Sequence, residues 1–209
     1  MQEKLLLTGF EPFGGDKINP SGEVAKSLDG AEIGGYQVVS RVLPVEWGTA
    51  RDLMERFIDE VDPLIILSLG LSAGRAEISV EKVAINYAGK GKDNRGNVSE
   101  RNYIIENGPA AYFATIPAEE VVEELNKKGI PARLSLTAGA YLCNYVFYSA
   151  CHYVISRGKR ALVGFIHVPA LPEMVAGKGQ SVPSMHVDLI RNAVISALET
   201  GIRSLTNCG

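Results

Sequence analysis

A cysteine at the start of a helix and a histidine at the mouth of a strand are the two residues of this sequence best placed to do chemistry. Cys143 follows a strand-like run at 134–137 and a break at Ala138-Gly139-Ala140, and it opens an apolar segment with helical character at 141–156. A thiol in a first helical turn faces unpaired backbone N–H groups and the positive end of the helix dipole, which favour the reactive thiolate. Those N–H groups can also hold the oxyanion of a tetrahedral intermediate. The alternative for Cys143 is a packed structural thiol. Cys151, about two turns further along the same segment, is expected in the core. The chain has three histidines, so a partner base is nearly chosen by elimination. His152 lies nine residues beyond Cys143, on the opposite helical face and about 13 Å along the axis. His186 opens the last helix, a surface or capping position. His167 ends the apolar run Ala161-Leu162-Val163-Gly164-Phe165-Ile166, where a polar side chain sits at a strand mouth. A third group should orient such a histidine. Glu81, in Ile78-Ser79-Val80-Glu81-Lys82-Val83, is the candidate carboxylate, though an exposed Glu81–Lys82 face fits its position equally.

Other chemistries find less support. The glycines from Gly9 to Gly14-Gly15 lack the Lys-Ser/Thr of a phosphate loop, and Gly89-Lys90-Gly91-Lys92 lacks a strand–turn–helix setting. No His/Cys/carboxylate cluster has zinc-site spacing, so no metal is expected.

The elements that must position these residues alternate in type. Strand-like runs are predicted at 5–8, 38–43, 64–69, 80–86, 134–137 and 161–168. Helices are predicted at 20–28, 49–61, 117–128, 141–156 and 185–198, the third with acidic residues in its first turn and lysines in its last. Strands alternating with helices imply an α/β fold with a largely parallel sheet covered on both faces. Residues 71–106 break the alternation, so a hairpin or mixed pairing is expected there. In such folds the site lies at the carboxyl ends of the strands, which here run into Gly9–Asp16, Ala138–Asn144 and His167-Val168-Pro169.

At 209 residues the chain is expected to form a single domain, 1–209. Its net charge of -3 argues against a nucleic-acid partner, which needs a basic face. Three cysteines make no disulfide framework and fit a reducing cytoplasm. No signal peptide is visible. Residues 134–156 carry no Asp, Glu, Lys or Arg, long enough for a membrane span, yet they read as a strand, a break and a buried helix, so no membrane partner is expected.

The chain resembles a known family. Thr8-Gly9-Phe10-Glu11-Pro12-Phe13-Gly14-Gly15 with Asn19-Pro20-Ser21 is similar to the opening of the pyroglutamyl peptidases I, also known as pyrrolidone carboxyl peptidases. Glu81-Lys82-Val83-Ala84-Ile85-Asn86, Asp93-Asn94-Arg95-Gly96, Thr137–Asn144 and Gly164-Phe165-Ile166-His167-Val168-Pro169 resemble its later blocks, in order, over roughly residues 4–200. Departures are Leu71, where many members have Gln; Leu142 and Ala170, where aromatics are common; and a shorter loop at Gly89-Lys90-Gly91-Lys92.

The resemblance implies a single-domain three-layer α/β/α sandwich with a mostly parallel, partly mixed twisted sheet, and a homotetramer. It also implies a cytoplasmic cysteine peptidase that removes N-terminal pyroglutamate through a triad of Cys143, His167 and Glu81, with no cofactor. The substrate's uncharged lactam calls for apolar walls and a few hydrogen-bond partners. Phe10 and Phe13 fit the walls, with Leu71 and Leu142 beside them, and Asn19 is either a lactam partner or a helix cap. Another cysteine hydrolase acting on a different lactam or small amide, and a non-catalytic small-molecule binder, are the alternatives. Cys208 is expected in a polar tail after a helix ending at Gly201, as a surface thiol or an inter-subunit disulfide.

Overall fold

The computed structural model describes residues 2–177 and 181–207. Its main sheet has seven strands: β1 (Lys4–Phe10), β2 (Glu32–Ile33), β3 (Tyr36–Leu43), β4 (Ile65–Leu71), β5 (Ile78–Glu81), β8 (Ala132–Ser135) and β9 (Leu162–Val168), in the order β2-β3-β1-β4-β9-β5-β8. β3, β1, β4 and β9 run parallel; β5 is antiparallel to β9, and β2 to β3. Helices α1 (Pro20–Ser27), α3 (Ala118–Lys127) and α6 (Val187–Asn207) pack on one face, α2 (Thr49–Val61) and α4 (Leu142–Ser156) on the other, and α5 (Pro172–Val175) is a single turn after β9. This is the three-layer sandwich the sequence led us to expect. β1 and β4 are buried along nearly their whole lengths, as central strands covered on both faces must be. No helix among the described residues is long and apolar enough to cross a membrane.

Three expectations need correction. The run at 80–86 is two strands, not one. Lys82 changes partners at the junction: its N–H donates to the Ser135 carbonyl of the main sheet, while its carbonyl accepts from Ala114 N. After it, β6 (Val83–Ile85) pairs with β7 (Ala111–Phe113) in a separate two-stranded sheet. Mixed pairing in this region is thus observed, but β5 joins β9, not its sequence neighbour β4. β8 begins and ends two residues earlier than 134–137. The last helix does not stop at Gly201 but runs to Asn207. Gly201 serves close packing there, because a Cβ would stand 2.9 Å from Ile65 Cδ1. Cys208 lies outside the described residues.

Two glycines bring α1 down onto the end of β1. A Cβ on Gly9 would collide with the Ser21 carbonyl, and one on Gly22 with that of Phe10. Ser21 Oγ accepts from Phe10 N at 3.0 Å, which fixes the carboxyl end of β1. The chain leaves β1 for β3 on one side and returns across it to β4 on the other, so a topological crevice opens between the ends of β1 and β4.

Candidate active site

The chemistry-bearing side chains meet beside that crevice, over the ends of β4, β9 and β5. Cys143 is the second residue of α4. No side chain caps the helix start, so its first N–H groups stay open to the cleft. The turn before it needs Gly139 at φ +79°. Asn144, fully buried, anchors the helix: its Oδ1 accepts from Ile85 N, and its Nδ2 donates to the carbonyls of Ile85 and Tyr87. Gly70 of β4 makes room for the sulfur. A Cβ there would lie 2.7 Å from Cys143 Sγ and 2.9 Å from Phe165 Cζ.

His167, next to last in β9, is 5% exposed. Its Nδ1 meets Glu81 Oε1 at 2.7 Å, which leaves Nε2 to engage the Cys143 sulfur. Burial alone would pull the imidazole pKa down. The charge of and hydrogen bond to Cys143, together with Glu81, outweigh burial and push it up to about 9. Glu81 is fully buried on β5. Antiparallel pairing sets Ser79 opposite His167 and Glu81 opposite Phe165, so Glu81 and His167 share one face of the sheet. The exposed Glu81–Lys82 alternative is therefore overturned for Glu81, while Lys82 pairs outward with Glu119 at 2.9 Å.

The other candidates for chemistry fall away. His152 sits on the continuous α4 and shares a hydrogen bond of 2.9 Å with Tyr112. His186 is exposed, and its Nδ1 accepts from Asp188 N at the start of α6. Cys151 is buried, and burial pushes its thiol up to about 12. Among the described residues no group of His, Cys, Asp or Glu could hold a metal ion.

Phe10, Phe13, Asn19, Leu71 and Leu142 all line one narrow cleft with Cys143. Asn19 is a helix cap: its Oδ1 accepts from Ser21 N at 3.1 Å and Ser21 Oγ at 2.8 Å, and its Nδ2 donates to the Glu11 carbonyl at 2.9 Å. One Nδ2 hydrogen has no partner among the described residues and can still donate into the cleft.

Sequence reasoning missed several contributors. Val45 and Tyr141 complete the cleft wall. The Tyr141 ring lies against Phe13 at 6.5 Å and edge-on to Trp47 at 5.4 Å, and its hydroxyl donates to the Lys92 carbonyl. The departing loop at 89–92 thus buttresses Tyr141. Lys90 turns away, donating to the Ser99 carbonyl at 2.7 Å. Asn94 Nδ2 ties this loop to Glu11 Oε1 and the Pro12 carbonyl, each at 2.9 Å. Arg75 bonds Glu81 at 2.9 Å, and no pattern in the sequence pairs the two. Gly70 did carry a signal, since a glycine inside a strand often marks a close approach. A larger open groove, lined by Trp47, Arg51, Arg101, Tyr103 and Tyr145, includes none of Cys143, His167 or Glu81.

The sequence profile of the family described as pyroglutamyl peptidase matches residues 3–204. A pyrrolidone-carboxylate peptidase of Pyrococcus furiosus is 44% identical over 206 residues, 97% of this chain and 99% of its own. The namesake protein of Coprothermobacter proteolyticus is 44% identical over 197 residues, covering 94% and 95%. Among solved structures, a mutant pyrrolidone carboxyl peptidase from Pyrococcus furiosus superposes with a TM-score of 0.93 at 44% identity, over 97% of this chain and 99% of that one.

Proposed function

Because the chain belongs to the pyroglutamyl peptidase family, we propose that it is a cysteine exopeptidase that removes N-terminal pyroglutamate from peptides. Cys143 is the nucleophile, His167 the general acid–base and Glu81 the group that orients it. The observation that carries the roles is the His167 Nδ1 to Glu81 Oε1 contact of 2.7 Å, made behind a cysteine that opens onto the apolar cleft.

The sulfur beside His167 favours the charged imidazole and raises its pKa to about 9, so His167 is suited to take the Cys143 proton. The lactam ring enters between Phe10, Phe13, Tyr141 and Leu142, with the remaining Asn19 N–H as a donor to a lactam oxygen. The sulfur attacks the carbonyl between pyroglutamate and the next residue, and the open N–H groups at the start of α4 receive the oxyanion. His167 then gives its proton to the departing amine as the C–N bond breaks, leaving a thioester on Cys143. Water, losing a proton to His167, attacks the thioester; release of pyroglutamate returns Cys143 and His167 to their starting state. No step calls for a cofactor.

The protein works in a reducing cytoplasm as a homotetramer. Unpaired Cys143 and Cys151 support the first statement. The family resemblance supports the second. The test of the activity is a chromogenic pyroglutamyl amide assayed beside unblocked aminoacyl analogues. Cleavage of the first alone is expected; equal cleavage, or cleavage of neither, overturns the reading.

A further inference from the structure

The buried carboxylate behind His167 has a second charged partner. Arg75 stands in the segment between β4 and β5, at the edge of the sheet where the cleft opens, and its side chain is 23% exposed. Its guanidinium NH1 donates to Glu81 Oε1 at 2.9 Å, the same oxygen that His167 Nδ1 meets at 2.7 Å. Among the described residues, Glu81 Oε2 is buried without a partner, as is Ser79 Oγ two residues before it. The groups facing Glu81 are thus Arg75 from the β4–β5 segment, His167 from β9 and, behind the imidazole, Cys143 from α4. The neighbouring charges turn elsewhere: Lys82 pairs with Glu119, and Glu77 with Arg133.

We propose that Arg75 is a positioning residue for the reaction, holding the Glu81 carboxylate aimed through one oxygen so that Cys143 and His167 meet in the correct geometry. A buried carboxylate is stable as an anion only with charged or hydrogen-bonding partners. With the imidazole as sole partner, the carboxylate would be held by a group that itself gains and loses the proton during turnover. Arg75 keeps its charge throughout. Arg75 does not line the cleft, so it acts on the catalytic step and not on substrate affinity.

The inference rests on the peptidase reading, so its test has a readout besides turnover. Wild type, Arg75→Gln, Arg75→Lys and, as a control, Arg133→Gln are compared across pH. The measurements are kcat and KM on a pyroglutamyl amide and the rate of Cys143 alkylation by iodoacetamide. In Arg75→Gln, kcat should fall about 10- to 100-fold, the worth of a hydrogen bond to a charged group, with KM within a few-fold. Removing a positive charge raises the proton affinity of every group around it, so the pH profiles of kcat and of alkylation should both move about one unit to the alkaline side. Arg75→Lys should restore most of kcat and the original profiles, and Arg133→Gln should match wild type. A purely structural role would lower thermal stability and leave the profiles in place, which overturns the proposal, as does an Arg75→Lys variant no better than Arg75→Gln. If wild type fails to cleave the amide but the Arg75→Gln alkylation profile still moves, the substrate reading fails and the positioning role stands.

Discussion

Gly70→Ala probes the nucleophile without altering any group that does chemistry. The added methyl carbon would lie 2.7 Å from Cys143 Sγ and 2.9 and 3.1 Å from Cζ and Cε1 of Phe165. Ordinary contacts between such atoms lie at about 3.5–4.0 Å, so the sulfur and the ring must each retreat by about 1 Å. The Phe165 ring centroid is 5.0 Å from that of His167, so its retreat presses on the base as well. A misplacement of about 1 Å at reacting atoms costs on the order of 100-fold in rate. Overpacking a core by one methyl costs about 1–3 kcal/mol of stability. Gly70 does not line the cleft. The expectation is therefore a fall of about 100-fold in kcat on a pyroglutamyl amide, KM within about threefold, and a folded protein melting several degrees lower. Circular dichroism melts and steady-state kinetics on the same preparations measure all three. A folded Gly70→Ala variant with kcat within threefold of wild type would refute the placement of the sulfur at the reacting centre.

His167→Ala should lose activity by several orders of magnitude, while His152→Ala and His186→Ala stay within a few-fold in the same assay, because the first hydrogen-bonds Tyr112 away from the cleft and the second is on the surface. The sulfur and Glu81 raise the His167 pKa to about 9, so the charged imidazole is lost as pH rises through that value, and kcat/KM should decline there. In Cys143→Ala the midpoint, followed by NMR of the imidazole, should drop, since the sulfur is the main cause of the rise. Asn94→Ala cuts the ties from the 89–97 loop to Glu11 and Pro12, so KM should rise several-fold with kcat less affected, measurable on the same substrate.

Much of this site was legible in the sequence, for local reasons. A cysteine at a helix start, a histidine at a strand mouth and a capped helix after Asn19-Pro20 are written in consecutive residues, and the structure places Cys143, His167 and Asn19 at those positions. Glu81 was harder, because its meeting with His167 depends on β5 inserting antiparallel beside β9, a pairing between residues 86 positions apart. Arg75 was invisible for the same reason, and Asn94, though named in a family block, gave no sign of its contacts: each meets a partner that only the tertiary fold supplies. The end of α6 was misjudged because glycine is a common helix stop, whereas Gly201 is used for a close approach to Ile65. The switch at Lys82 has no composition signal, since both sides of it read as strand.

The central claim is that Cys143 carries the pyroglutamyl group during turnover. Rapid acid quenching during hydrolysis of a pyroglutamyl ester, followed by mass spectrometry of the digested protein, tests it directly. One pyroglutamyl adduct is expected on the peptide that contains Cys143, absent in Cys143→Ala, which should also be inactive. Turnover by Cys143→Ala within tenfold of wild type, or an adduct on any other residue, would contradict it.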